Sequence, residues 1–423
     1  MRVSTSSQTS TRKTRSEWID LIKATSVILV VFFHSVQALS FVAGGSFAAE
    51  WWTSVSIFLE PLRMPVFFVV SGMLASSAVR RPWSDSKSRT IGIAYLFLLW
   101  HTLMTLFTVT WSLLTTGELS KSVAEISYTY VVQIFTTPGG YWYFYALVLY
   151  FVIARLVRNV HPFLVLGVAA ALNLMRPVTT SFINEALAGL DVSHMMGSVV
   201  MNTVYFLAGV YLVTYIKDLA RLGDTRLLVA SGVLASGASL WRVLNPSVWG
   251  DSFLWIAIAW VVFAVLVAVR VARHPAAAAL ASYVGPRTLP IFVIQFPILH
   301  VTYWVLGNYG TLVAGNVVLQ LIFPVLLTAA ITWISLVSYD AAMSHRSTRW
   351  LFAAPRSWVA RPIERQLSDP ATARQSAESP RAAGTGDEAV ASSRESRRGN
   401  TGRPRADEDS PTGPLSVVPA GGP

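Results

Sequence analysis

The first apolar segment of the sequence carries the residues best placed to do chemistry, Lys23 and His34, eleven positions apart. Eleven residues of α-helix make about three turns and about 16 Å of length, so both side chains project from one face. Asp20 lies near that face, and its spacing of three residues from Lys23 predicts an ion pair between them. Because ionisable groups are expensive in a bilayer, the pattern favours a functional polar stripe along this helix.

His34 has the side chain best suited to chemistry at neutral pH. Its imidazole could take a proton from an attacking hydroxyl group, or could itself hold a transferred group as a nucleophile. Structural interpretations stay open beside these. Asp20 and Lys23 could pair at a helix end with the lysine reaching the membrane surface, and His34 could make a hydrogen bond between helices.

A second apolar segment, residues 52–79, adds two charges at a comparable depth. Glu60 and Arg63 stand three residues apart, which allows a salt bridge that only locks the helix. Farther along, Ser71-Gly72 allows two backbones to approach closely or the helix to break. If the two segments pack as neighbours, Arg63 or Ser71 could donate to charge developing on a carbonyl oxygen, and Glu60 could orient the imidazole.

The composition requires a membrane around these residues. Of the 423 residues, 53% are hydrophobic and 13% are charged, and the mean hydropathy is +0.51. We therefore predict an all-α, polytopic helical bundle. Windows of about 20 apolar residues predict about ten spans, with 125–137 as a shorter interfacial or re-entrant piece and nine or eleven spans as alternatives. The ten are residues 18–41, 52–79, 90–115, 141–157, 161–176, 197–216, 227–242, 253–271, 279–306 and 314–341.

The basic residues predict the orientation of these spans, because cytoplasmic loops retain Lys and Arg. Alternate span ends hold very different numbers of them. The rich set contains Arg12, Lys13, Arg15, Arg80, Arg81, Lys87, Arg89, Arg155, Arg158, Lys217, Arg221, Arg226, Arg270 and Arg273, and the poor set contains Lys121, Arg176 and Arg242. With ten spans, this asymmetry places both termini in the cytoplasm. The net charge of +11 then reflects topology, and we expect no nucleic-acid partner.

Several side-chain chemistries are excluded or disfavoured. The chain has no cysteine, so it has no disulfide, thiolate metal site or acyl-cysteine intermediate. No metal site is expected, since no i,i+4 histidine pair occurs. His101 is a second histidine within a span, for which a structural role is slightly favoured over a catalytic one. The other histidines are predicted to lie in loops or at helix ends: His161, His194, His274, His300 and His345.

The chain is expected to hold one membrane domain between two loose ends. Residues 1–15 form a predicted cytoplasmic tail and residues 16–354 form the membrane domain. Residues 355–423 are rich in Ser, Pro, Gly, Ala, Arg and Glu and have no aromatic residue after Trp358. Because such a segment cannot bury enough apolar surface to fold, we predict a disordered cytoplasmic tail.

The order of several segments resembles the membrane-bound acyltransferase 3 family, whose members O-acylate sugars and other envelope molecules. The resemblance covers most of residues 15–340 and includes a basic residue and a histidine separated by ten residues. This chain has lysine where arginine is common, and Gln295 where many relatives have histidine. The segments that carry the resemblance are WIDLIKATSVILVVFFHS, PVFFVVSGMLAS, SRTIGIAYLFLLW, GGYWYFYALVLYFVIARL, NTVYFLAGVYL and GPRTLPIFVIQFPIL.

The resemblance implies a multi-pass enzyme of the cell membrane that transfers a short acyl group from acyl-CoA to a hydroxyl of an envelope glycan or glycolipid, with no bound cofactor. A secondary transporter or flippase is the alternative for the same charged face. The candidate catalytic residues are then His34, Ser71, Arg63 and Glu60. The candidate donor-binding residues are Lys23, Asp20, Arg89, Phe68 and Gly72. Trp142 and Tyr141, near the predicted outer surface, are the candidate acceptor-binding residues.

Overall fold

The computed structural model describes the backbone of residues 6–119, 121–136, 140–186, 193–246, 254–355 and 358. All of these belong to the first of two units into which the chain divides, Met1–Leu367. The second unit, Ser368–Pro423, and most of the predicted C-terminal tail lie outside the described residues. For Arg89 and residues 6–16, the structure describes the backbone but not the side chains.

The described chain is almost entirely α-helical and contains no β-strand, so the all-α prediction is confirmed there. The first helix begins at Ser6, inside the segment predicted as an N-terminal tail. Short 3-10 turns occupy Gly285–Arg287 and Arg349–Leu351. The α-helices are α1 (Ser6–Ala43), α2 (Phe47–Phe58), α3 (Glu60–Arg80), α4 (Trp83–Thr116), α5 (Val123–Thr136), α6 (Trp142–Leu156), α7 (Pro162–Leu174), α8 (Arg176–Ala186), α9 (Ser193–Tyr211), α10 (Val213–Leu222), α11 (Thr225–Leu244), α12 (Leu254–Val271), α13 (Pro275–Val284), α14 (Thr288–Tyr309), α15 (Thr311–Ala314) and α16 (Val317–Ser344).

Seven stretches of the described chain are long and apolar enough to cross a membrane, and the count becomes eight if Met196–Tyr211 and Val213–Leu222, which meet at a 73° bend, form one broken span. Each of the ten predicted spans coincides with a helix or with consecutive helices. However, α6 and α7 have only 15 and 13 residues, so at about 1.5 Å per residue they fall short of a hydrocarbon core of about 30 Å. The seven stretches are Glu17–Ala43, Phe47–Arg80, Ser86–Thr116, Thr225–Leu244, Leu254–Val271, Pro275–Tyr309 and Val317–Ser344.

Two exposed positions can test whether the short helix α6 crosses the membrane. We expect Thr116→Cys to react with a membrane-impermeant maleimide in intact cells, and Arg158→Cys to react only after the membrane is opened, because the α6 crossing would separate them. The chain has no cysteine of its own, so the labelling has no background. Reaction of both positions from the same side would show an even number of crossings between them and would contradict the ten-span topology.

The first helix is central to the bundle and therefore determines where Lys23 and His34 lie. Its membrane-spanning part packs against α2, α3, α12, α13, α14 and α16. Gly285 lies against it so closely that a Cβ atom there would be 2.5 Å from the Cβ of Asp20. The polar stripe of α1 is thus held inside protein, as expected for ionisable groups at membrane depth.

The contact between α3 and α9 depends on two glycines. A Cβ atom at Gly72 would lie 2.0 Å from the backbone oxygen of Phe206, and one at Gly209 would lie 2.0 Å from the backbone oxygen of Val69. Small residues that let two helix backbones approach are a common basis of packing in membranes. The Ser71-Gly72 pair of the sequence therefore has a structural role at Gly72.

The segment predicted as an interfacial or re-entrant piece forms α5. A capping box starts this helix: the Glu125 N–H donates to the Ser122 hydroxyl at 3.2 Å, and the Ser122 N–H donates to the Glu125 carboxylate at 3.0 Å. These Ser122 hydrogen bonds lower the pKa of the Glu125 carboxyl. The Tyr130 and Thr102 hydroxyls, 2.8 Å apart, join the helix to α4.

Candidate active site

His34 lies on the wall of a cavity of about 380 Å³, here named the histidine cavity. Its walls come from α1, α4, α5, α14 and the start of α6, so five distant parts of the sequence build it. Two more histidines share the cavity with His34. Its lining residues are His34, His101, Met104, Thr105, Thr108, Gln133, Gly140, Tyr141, Phe296, Leu299, His300 and Tyr303.

A hydrogen bond to Gln37 orients the His34 ring. Its Nδ1 atom is 2.9 Å from the side-chain oxygen of Gln37. An amide oxygen only accepts, so Nδ1 carries the proton and Nε2 of the neutral ring keeps its lone pair. The ring also contacts Phe296, with centroids 5.5 Å apart. This arrangement gives the cavity an oriented imidazole base. Gln37, one turn along the same helix, was not among the residues predicted from the sequence.

The other two histidines of the cavity differ in how they are held. His101 stacks on Tyr130 with ring centroids 4.9 Å apart, and its Nε2 is 3.3 Å from the Tyr130 backbone oxygen. His300 lies well inside α14, so its predicted position in a loop or at a helix end is wrong. Among the described residues, no group of His, Asp and Glu is arranged to hold a metal ion.

Lys23 lines a second cavity of about 180 Å³, here named the lysine cavity. Its Nζ atom is 2.9 Å from the Asp20 carboxylate, so the ion pair predicted from their spacing is present. Ser71 shares this cavity, and its hydroxyl is 3.5 Å from that of Tyr143. The lining residues are Lys23, Ser26, Val27, Val30, Met64, Phe67, Ser71, Leu74, Ile93, Tyr143, Leu147, Thr288, Leu289 and Phe292.

Aromatic rings lie between the two cavities. Phe292, on the lysine cavity, contacts Tyr143 at a centroid distance of 5.0 Å and Phe296, on the histidine cavity, at 5.7 Å. Phe67 extends the group through Tyr143, at 5.1 Å. Lys23 and His34 therefore face two cavities on either side of this aromatic group, and not the single polar stripe that their spacing predicted.

Glu60 and Arg63 belong to a charged cluster beside the histidine cavity. Glu60 pairs with Arg242 at 2.8 Å and approaches Arg63 at 4.0 Å. The Arg63 guanidinium lies 4.0 Å from the ring centroid of Phe33, the residue before His34. The partner of the imidazole is thus Gln37 rather than Glu60, and Arg242, predicted to be a loop residue, joins the cluster from α11.

The remaining candidate donor-binding residues are placed in different surroundings. Phe68 is fully buried and packs on Trp142, Tyr143 and Tyr150. Gly72 lies at the α3–α9 contact. Neither lines the lysine cavity. The Arg89 side chain lies outside the described residues, so its expected contact with the donor stays a prediction.

The two candidate acceptor-binding residues also lie in different surroundings. Tyr141 lines the histidine cavity with its ring 5.0 Å from that of Phe296, and its hydroxyl donates to the Val293 backbone oxygen at 3.4 Å. Trp142 points toward Phe68, at 5.9 Å between ring centroids, and does not line the cavity. Gly140 leaves space that the Phe296 ring fills, since a Cβ atom there would be 1.6 Å from it.

The helices and the two cavities define a membrane-integrated, all-helical protein with an oriented imidazole inside the bundle. A family model described as "Acyltransferase domain" matches residues 16–340, and the chain belongs to this acyltransferase 3 family. The chain is also similar to "Inner membrane protein YcfT" of Escherichia coli (strain K12), with 27% identity over 256 residues, which cover 55% of this chain and 67% of that protein. No solved structure matches the chain significantly.

Proposed function

We propose that the protein is an integral-membrane O-acyltransferase of the cell membrane, which transfers an acetyl or other short acyl group from acyl-CoA to a hydroxyl of a cell-envelope glycan or glycolipid. The main supporting observation is His34, whose proton on Nδ1 is held by Gln37 and whose ring faces the histidine cavity. Membership of the acyltransferase 3 family supports the reaction class. The relative's name, an inner membrane protein, supports the location.

The proposed chemistry needs one proton acceptor and no bound cofactor. The oxygen of the acceptor hydroxyl attacks the thioester carbonyl as Nε2 of His34 takes its proton. The new C–O bond forms, the C–S bond breaks, and the imidazolium returns the proton to the departing CoA thiolate. A route through an acylated His34 gives the same products by two transfers.

The acyl end of the donor suits the lysine cavity by wall chemistry. Its walls are mainly apolar, which suits a short acyl chain, and Lys23 supplies a positive charge for the polyanionic part of CoA. The Ser71 hydroxyl could donate to the thioester oxygen. For the acyl group to reach His34, the Phe292 and Phe296 rings between the cavities must move apart.

The histidine cavity suits a neutral hydroxylated acceptor. It is lined by imidazole, hydroxyl and amide groups together with aromatic rings, and none of its lining residues is Asp, Glu, Lys or Arg. Sugars combine hydroxyl groups with apolar faces that stack on rings such as Tyr141 and Tyr303.

Turnover of labelled acetyl-CoA by the purified protein tests this function. The assay would supply an extract of envelope glycans and glycolipids from cells that lack the protein, and mass spectrometry would identify the acylated product. We expect label to move into that extract. If acetyl-CoA and longer acyl-CoA donors are all left unconsumed by folded protein, the proposed function is wrong.

Lys23→Met should weaken donor binding more than it slows chemistry. The substitution keeps a long apolar side chain but removes the charge and the ion pair with Asp20. We expect KM for acetyl-CoA to rise about ten-fold, a typical size for a lost charged contact, with kcat changed much less. An Arg221→Met variant, which removes an exposed ion pair with Asp218, is the control. An unchanged KM in Lys23→Met would contradict the donor role.

The transporter alternative finds less support. A transporter of the inverted-repeat type would show matched broken helices in its two halves. Within the described ranges, one helix pair bends by more than 40° at a short break, Met196–Tyr211 with Val213–Leu222. The other half of the described chain holds no matching pair that is bent by more than 40°.

A further inference from the structure

His300 is the imidazole of the histidine cavity whose hydrogen-bonding capacity is least used. Nδ1 of His34 is held by Gln37, and Nε2 of His101 is held by the Tyr130 backbone. In the part of the chain that the structure describes, His300 makes only ring contacts, at 5.6 Å from Phe107 and 6.3 Å from Trp111. Its side chain is partly exposed to the cavity rather than sealed in the core.

An imidazole that faces a cavity needs water or a ligand as its hydrogen-bond partner, because a polar group left without one inside a helical bundle is unfavourable. The two edge-on aromatic contacts hold the ring but satisfy neither nitrogen. A leucine at this position would pack against the same rings without that cost. The position is thus suited to a ligand that enters the cavity and provides hydrogen bonds.

We propose that His300 is an acceptor-positioning residue. This inference rests on the proposed function: while His34 takes the proton of the attacking hydroxyl, His300 binds a second hydroxyl of the same acceptor and so aligns the first. An acceptor with at least two hydroxyl groups matches a cavity whose walls carry two available imidazoles and no charged residue. Because alignment matters only for a bound acceptor, His300 should not be needed when water takes the acyl group.

The test separates transfer from hydrolysis. The full-length protein with His300→Ala or His300→Gln would receive labelled acetyl-CoA, with and without the envelope extract. We expect His300→Ala to lower transfer into the extract about ten-fold through a higher KM for the extract, with hydrolysis within about two-fold of the unsubstituted protein. His300→Gln, which can still donate and accept a hydrogen bond, should recover much of the transfer. His161→Ala, an exposed histidine substitution, is the control.

Three results would overturn the assignment. Transfer by His300→Ala at the unsubstituted rate would remove His300 from the acceptor site. Equal losses of transfer and hydrolysis in a folded protein would indicate a general structural role, as would failure of both His300→Ala and His300→Gln to fold. Failure of the proposed function itself would look different, because the unsubstituted protein would then consume no acyl-CoA.

Discussion

Replacing His34 by alanine is expected to reduce both acyl transfer and acyl-CoA hydrolysis by about 10²- to 10⁴-fold, the usual contribution of a general base. The reason is geometric. Gln37 holds the proton on Nδ1, so Nε2 is the basic atom available to the cavity. The measurement is the initial rate with labelled acetyl-CoA at saturating donor, made on protein that elutes as a single folded species.

Two further variants make the His34 result specific. His34→Gln keeps hydrogen bonding but has no basic nitrogen, so it should be as inactive as alanine. Gln37→Leu should lower the rate less than His34→Ala does, because the basic nitrogen remains. The substitution only removes the hydrogen bond that sets the tautomer and orients the ring. Acyl transfer by folded His34→Ala at the rate of the His161→Ala control would exclude the residue from the reaction.

Short-range features of this site were predictable from the sequence. The pairing of Asp20 with Lys23 follows from their spacing of three residues on a helix, and the structure shows it at 2.9 Å. The burial of α1 follows in the same way from its charges, which lipid does not tolerate. Hydropathy also predicted ten spans that all coincide with helices, since each depends on local composition, but it did not predict α8 (Arg176–Ala186).

Features that join distant segments were not predictable. Glu60 has Arg242 as its close partner, and 181 residues separate them along the chain. The aromatic group between the cavities combines α3, α6 and α14, whose relative rotation no periodicity in one sequence reveals. The spacing of Lys23 and His34 likewise indicated that they share one face of a helix. It could not indicate that Phe292 and Phe296 divide the space beside that face into two cavities.

Helix length was the other source of error. The predicted span 279–306 is broken by Gly285–Arg287, and the helix after the break continues to Tyr309. His300 lies near the middle of the helix after the break and on the cavity, although it was expected in a loop or at a helix end. A histidine on an apolar helix carries no local signal that distinguishes these positions.

Gly72→Ala is expected to destabilise the protein strongly for so small a change. The added methyl group would lie 2.0 Å from the Phe206 backbone oxygen, and backbone cannot move aside as a flexible side chain can. Helices α3 and α9 would have to separate, and overpacking of this kind costs about 1–3 kcal/mol. The measurement is the midpoint of thermal unfolding in detergent, which should fall by several degrees.

Gly237→Ala supplies the matched control for this prediction. Gly237 is also inside a helix, but a Cβ atom there would meet nothing within 4 Å. Since alanine favours helix over glycine by about 0.5–1 kcal/mol, this variant should be neutral or slightly more stable. Gly209→Ala, which adds a methyl group to the same contact from the α9 side, should behave like Gly72→Ala. If Gly72→Ala instead kept its stability and raised only KM for acetyl-CoA, the donor-binding role implied by the family resemblance would account for Gly72 better than helix packing does.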